Sequence, residues 1–173
     1  MLADARVALA YRGERHEFRN GLDALIQVLR LMLETDAFFA LAAYRLEVRV
    51  RALRVPVLPW LAHRLSIMTA QLSIAEAATI HPGVFIPHGQ VVIYGMVEVQ
   101  PFASLLPWVT LGPAIGQVVG PKIGVRAVIG TGAKVIGDIE VGAGARVGTS
   151  AVVHDDVPPE TTVVGMPARA IDA

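Results

Sequence analysis

The chain has 173 residues, 54% of them hydrophobic and 17% charged, and its fifteen basic side chains are balanced by fifteen acidic ones. That length allows one domain with an appendage or two small domains, and zero net charge gives no electrostatic case for nucleic acid as a partner. The absence of cysteine excludes disulfides, thiolate nucleophiles and Cys-based metal sites, and fits a reducing, cytoplasmic setting.

So apolar a composition predicts surface buried between subunits. The first residues lack a basic-then-apolar stretch with a small-residue cleavage site, so no secretory signal is expected. Leu22, Leu25, Ile26, Leu29 and Leu33 recur at helical spacing, and the pattern continues through Phe38, Leu41, Leu46 and Leu53. Gly21 and Asp36 mark helix ends, Pro56 and Pro59 interrupt the pattern, and Trp60 to Leu72 reads as another short helix. Residues 1–75 carry ten Arg against seven acids. The cluster Arg45, Arg49, Arg51 and Arg54 suits a contact between assemblies of this chain, a membrane-surface arm or a docking face equally. This N-terminal helical segment, 1–75, is expected to be a cap or arm without chemistry of its own.

A different period governs residues 76–173. From Ile93, every sixth residue is Val99, Leu105, Leu111, Gln117, Ile123, Ile129, Val135, Val141, Val147 and Val153, and only Gln117 is not aliphatic. Four residues after each stands a small or branched one: Val97, Ala103, Val109, Ile115, then Ala127, Ala133, Ile139, Ala145, Ala151 and Val157, with Pro121 as the one departure. Ile80 and Ile86 keep the period upstream, with one extra residue before Ile93. Neither a helix nor an ordinary sheet repeats every six residues. The spacing predicts a parallel β-helix, in which three short strands make one triangular turn. Each turn rises by roughly 4.8 Å, and about four turns fit between Ile80 and Val157. Gly124, Gly130, Gly142 and Gly148 follow aliphatic positions, where crowding or unusual φ would penalise a side chain. The uncharged run Val99 to Pro121 is long enough to cross a bilayer, but Pro101, Pro107, Pro113 and Pro121 would break a membrane helix repeatedly, and no span is expected. The break at Gln117 predicts that Gly112 to Pro121 leaves the prism as an extended loop kept for function.

Nucleophilic covalent catalysis has no evident agent, since there is neither a cysteine nor a Gly-x-Ser-x-Gly elbow. His88 is the candidate base: it sits where the period slips by one residue, and a neutral imidazole can accept a proton from an attacking hydroxyl. His81, before Pro82-Gly83, reads as structural. His81, His88 and His154 do not have the spacing of the three-histidine zinc site in γ-class carbonic anhydrases, and no metal is expected.

Several motifs stand in a recognisable order: Ile80-His81-Pro82, His88-Gly89 with Val91-Val92-Ile93, Val109-Thr110-Leu111-Gly112, and Pro121-Lys122-Ile123-Gly124. Ile129 to Lys134, Val147-Gly148 and Val164-Gly165-Met166-Pro167-Ala168-Arg169 follow. Together they resemble the hexapeptide-repeat acyltransferases, specifically the serine acetyltransferase-like branch, over roughly residues 76–170. The resulting expectation is a mostly β protein, a left-handed parallel β-helix with an N-terminal α-helical segment. The resemblance implies a homotrimer, or a dimer of such trimers, with acetyl-CoA between neighbouring prisms and a small hydroxyl-bearing acceptor, serine-like or a sugar. It puts the catalytic histidine on His88 and implies direct transfer, with backbone N–H groups stabilising the thioester oxyanion. It runs the CoA arm past Gly112, Gly130, Thr131, Gly132, Ala133, Lys134, Gly148, Thr149 and Ser150, with Lys122 and Arg169 toward the phosphates.

Three departures concern the acceptor side. Thr79 stands where the family has an Asp supporting the histidine, a turn is expected to be missing between Ile80 and His88, and Gly120 stands where the family has a His before Pro-Lys. Glu76 or Glu98 could replace the missing carboxylate. A catalytically inactive trimeric scaffold is the alternative reading.

Overall fold

A computed structural model describes residues 1–52 and 57–171; Leu53, Arg54 and Pro56 lie outside the described residues. Helix α1 (Leu2–Tyr11) has no counterpart in the sequence expectations. Only its Ala5 and Leu9 enter a small core, with Leu31 and Phe38, and two residues make no readable stripe. Helix α2 (Gly21–Glu34) begins where the Asn20 side chain accepts the Asp23 N–H at 2.8 Å, satisfying one of the orphan donors of a helix start. Helix α3 (Asp36–Ala52) carries Asp36 in its first turn, where the helix dipole favours an acid. Helix α4 (Leu58–Ala70) has Pro59 in its first turn. There a missing N–H costs nothing, so Pro59 opens this helix rather than interrupting one.

From Ser73 on, the chain visits three sheets in rotation. The first holds β1 (Ser73–Ile74), β3 (Val92–Ile93), β6 (Thr110–Gly112), β9 (Lys134–Ile136) and β12 (Val152–Val153). The second holds β2 (Thr79–Ile80), β4 (Met96–Val99), β7 (Val119–Ile123) and β10 (Glu140–Val141). The third holds β5 (Ser104–Leu105), β8 (Val128–Ile129), β11 (Arg146–Val147), β13 (Thr162–Val164) and β14 (Arg169–Ile171). Every pairing is parallel except β13 with β14, which closes the series. The hexapeptide positions point inward: Leu111, Ile123, Ile129, Val135 and Val141 are wholly buried, as are Ala103, Ala127, Ala133, Ala145 and Ala151. The glycines after aliphatic positions answer to crowding. A Cβ on Gly124 or Gly130 would stand 2.6 Å from backbone of the next turn.

Register explains the interruption of the repeat. Val92 pairs with Thr110 and Lys134 with Val152, one turn of three hexapeptides apart, whereas Thr110 pairs with Lys134 across one hexapeptide more. The extra residues form a turn closed by the Gln117 N–H on the Ala114 carbonyl at 3.0 Å. An excursion of one full repeat leaves the inward pattern in phase on both sides. It is shorter than Gly112 to Pro121, however: Val119, Gly120 and Pro121 belong to β7, and Val119 pairs with Met96. Ile115 therefore does not fill a corner but stands wholly exposed on the excursion.

The helices share the core of the coil. Ala40, Leu41, Tyr44 and Ala70 are buried in the same cluster as Leu72, Ile74 and the inward residues beyond.

Candidate functional site

One edge of the prism, where the chain passes from the third side to the first, carries most of the expected site. His88 lies on this edge in the first complete turn, between the Phe85 bridge to Ser104 and β3. Successive turns are tied along it by backbone bonds: Trp108 N–H to the Gln90 carbonyl (2.9 Å), Gly132 N–H to Pro107 (2.9 Å), and Ser150 N–H to Thr131 (2.8 Å). His88, Gly130 to Lys134 and Gly148 to Ser150 thus share one edge, about 14 Å long for three inter-turn steps. Thr149 and Ser150 are exposed, Thr131, Gly132 and Lys134 are half-buried, and Ala133 is an interior residue. Lys134 Nζ donates to the Trp108 carbonyl at 2.6 Å. Three expected residues lie elsewhere: Gly112 at the far end of β6 against the Tyr94 ring, Lys122 exposed on the second side, and Arg169 exposed on β14.

The position of His88 depends on the glycine after it. Gly89 has φ +72°, and a Cβ there would stand 2.1 Å from the carbonyl oxygen of Ala70, the last residue of α4. The same carbonyl accepts the Gln90 N–H at 2.7 Å. A close approach of helix to coil thus selects glycine beside the histidine. Ile80 and His88 lie on one turn of the coil.

A cavity of 480 Å³ opens beside His88, walled by Val84, Phe85, Ile86 and Pro87 of the coil and by Asp4, Tyr11, Arg12, Leu31, Glu34 and Thr35 of the helices. Residues 1–75, expected to be a cap without chemistry, thus supply one wall of the cavity beside His88. Asp4 builds the wall: its buried carboxylate accepts the Gly83 N–H at 2.8 Å and pairs with Arg45 Nη2 at 3.0 Å. Arg45 also donates to the Ile80 carbonyl and, at 2.7 Å, to that of His81. Burial pushes the Asp4 carboxyl up, but the Arg45 guanidinium, the amino terminus and the Gly83 N–H outweigh it and hold the group below its ordinary range. Tyr11 stacks on Phe85 at 3.9 Å between centroids, and its hydroxyl lies 2.9 Å from Ser104 Oγ.

The two acids proposed to support His88 are engaged elsewhere. Glu98 Oε1 is 3.1 Å from His81 Nε2 and 2.7 Å from the Gln100 amide, and Glu76 is 3.4 Å from Arg51 Nε. Thr79 is exposed on β2. Among the arginines of α3, Arg45 and Arg51 serve internal pairs, which removes them from a free basic face. Among the described residues no three His, Asp or Glu side chains converge as a metal site would require, and no helix is long and apolar enough to cross a membrane. Hydrophobic periodicity misses Asp4, Tyr11, Arg12 and Glu34, since each owes its place to helix docking; the one readable hint was the charge of Asp4, Arg12 and Glu34 in or beside apolar helices.

Short strands at six-residue spacing, wound through three sheets around an aliphatic interior, define a hexapeptide-repeat protein, here with helices packed over its first turn. No family model matches the chain. A serine acetyltransferase of Synechococcus elongatus is 36% identical over 157 residues, covering 88% of this chain and 61% of the relative. Soybean serine acetyltransferase complexed with serine is 33% identical with a TM-score of 0.78, covering 98% of this chain and 67% of that one. A serine acetyltransferase in complex with CoA is 26% identical with a TM-score of 0.77, covering 98% and 68%. The chain belongs to the serine acetyltransferase family. It spans about half to three fifths of the length of the curated relatives it matches.

Proposed function

We propose that the protein transfers an acetyl group from acetyl-CoA to the hydroxyl of L-serine, or of a close serine-like metabolite, with His88 as general base. The observation that carries this reading is His88, standing on the edge shared by Gly130 to Lys134 and Gly148 to Ser150 while opening into a cavity between coil and helices. Kinship supports donor and acceptor, since family members have been solved with CoA and with serine. The imidazole takes the hydroxyl proton as the oxygen attacks the thioester carbonyl. The tetrahedral intermediate then collapses, and the departing CoA sulfur receives that proton, so no acyl-enzyme forms. Backbone N–H groups stabilise the oxyanion. The CoA arm runs along the edge past Gly130, Thr131, Gly132, Ala133, Lys134, Gly148, Thr149 and Ser150, with Gly112, Lys122 and Arg169 toward its remaining parts.

The reading includes the architecture: a left-handed parallel β-helix over 76–173, with the helical segment 1–75 as acceptor-side wall, assembled as a cytoplasmic homotrimer or a dimer of trimers. Assembly draws support from the outer face of α2, where Leu22, Leu25, Ile26, Leu29 and Leu33 are 49–89% exposed, more apolar surface than a lone subunit tolerates.

The test is CoA-thiol release with acetyl-CoA and L-serine, beside a panel of sugars. Loss of a positioned base predicts that His88→Ala lowers kcat by about a hundred- to ten-thousandfold with the thermal midpoint kept. Wild-type protein that binds no acetyl-CoA and releases no CoA would instead establish the inactive scaffold.

A further inference from the structure

The cavity beside His88 carries a charge pattern that proton abstraction does not require. Besides the histidine its charged residues are Asp4, Arg12 and Glu34. Asp4 is fully buried and saturated by Arg45 and Gly83, so it holds helix α1 on the coil. Arg12 and Glu34 are placed differently. Arg12 caps the end of α1 and Glu34 is the last residue of α2, so two helix ends deliver one cation and one anion to the same wall. Their side chains are 37% and 40% exposed and pair at 2.7 Å.

We propose that Arg12 and Glu34 are the specificity residues for a zwitterionic acceptor, Arg12 taking its carboxylate and Glu34 its ammonium while the hydroxyl meets His88. The inference rests on the O-acetyl transfer reading and assigns its acceptor contacts to the helical segment. The pair is one contact of an exposed four-residue network closed by Glu14 and Arg30, so a zwitterion can exchange it for two pairs while the network's other contacts stay. Each side chain keeps a further partner when the pair opens: Glu14 lies 2.7 Å from Arg12 Nε, and Arg30 Nε lies 3.4 Å from Glu34. A guanidinium also matches a carboxylate in a two-point fork that no neutral sugar hydroxyl reproduces. An amino alcohol satisfies only Glu34 and a hydroxy acid only Arg12, so the pair discriminates at both ends of the molecule.

The experiment is steady-state kinetics of the full chain with acetyl-CoA and three acceptors: L-serine, ethanolamine, which lacks the carboxylate, and glycerate, which lacks the ammonium. Charge-assisted hydrogen bonds of this kind predict that Arg12→Gln raises the KM for serine about ten- to hundredfold and leaves ethanolamine unchanged. Glu34→Gln raises the serine KM similarly and leaves glycerate unchanged, and neither alters the KM for acetyl-CoA. The charge swap of the whole network (Arg12→Glu, Glu14→Arg, Arg30→Glu and Glu34→Arg) restores the ion pairs and the thermal midpoint but not the serine KM. A serine KM untouched in both single variants, or rescued together with stability in the swap, overturns the assignment and leaves the transferase standing. Wild-type turnover with a sugar but not with serine also overturns it, whereas no CoA release with any acceptor sinks the transferase reading itself.

Discussion

The coil and the helices use apolar residues in opposite ways. In the coil, an aliphatic residue every six positions is buried whatever surrounds the turn, because the turns above and below supply its contacts: Leu111, Ile129 and Val135 expose nothing. In α2 the stripe that announces the helix, Leu22 to Leu33, faces outward, while Ala24 and Leu31 on the other face meet the protein. A helix with apolar residues on two faces has a second partner to find. Stacking along the chain thus decides burial in one region, and docking between distant elements decides it in the other.

The sharpest way to break that comparison is inside the coil. Leu111→Ala removes a wholly buried side chain from the middle of the stack and is expected to cost about 2–5 kcal/mol, read by denaturant unfolding. Leu33→Ala, at 89% exposure, is expected to stay within about 0.5 kcal/mol in an isolated subunit. Equal costs would mean that the α2 stripe is as fully covered in solution as the coil interior.

The next largest effect falls where the regions meet. Asp4→Asn leaves Arg45 without its partner and is expected to cost about 3 kcal/mol. The native carboxyl sits below its ordinary 3.8, so its contribution is complete above about pH 4 and is lost as pH falls through the lowered value. Glu47 runs the other way. Burial pushes its carboxyl above the ordinary 4.5 against the pull of His63 and Arg51, so it favours the folded state at low pH and loses that contribution as pH rises past 4.5. Thermal midpoints measured across pH should therefore lose their acid limb in Asp4→Asn and their decline above pH 4.5 in Glu47→Gln. Limbs that persist in both variants would assign the dependence to other groups.

Aimed at the site itself is Gly89→Ala. The added Cβ meets the Ala70 carbonyl at a positive φ, and about 1–3 kcal/mol is expected. Because this contact holds the turn beside His88, kcat should fall more than acetyl-CoA affinity does, as turnover and calorimetric titration would show.

How much was legible follows from the same contrast. The six-residue period named the interior residues, the corners, the one-residue slip at His88 and the break at Gln117. Register places His88 on the same edge as Thr131, Gly132, Thr149 and Ser150. The excursion proved shorter than expected, because strand pairing reclaimed Val119 to Pro121. Helix α1 and the helical wall of the cavity were not legible at all. Asp4 meets Gly83, and Tyr11 meets Ser104, across most of the first hundred residues, and nothing local encodes such contacts.

By itself the sequence determined the repeat, its interior and the candidate base, since each hexapeptide carries its own instruction and its neighbours repeat it. Only the tertiary structure decided what stands over that base. The charges of Asp4, Arg12, Glu34 and Arg45 reach it through helices whose docking is set by shape and by ion pairs between residues far apart in the chain.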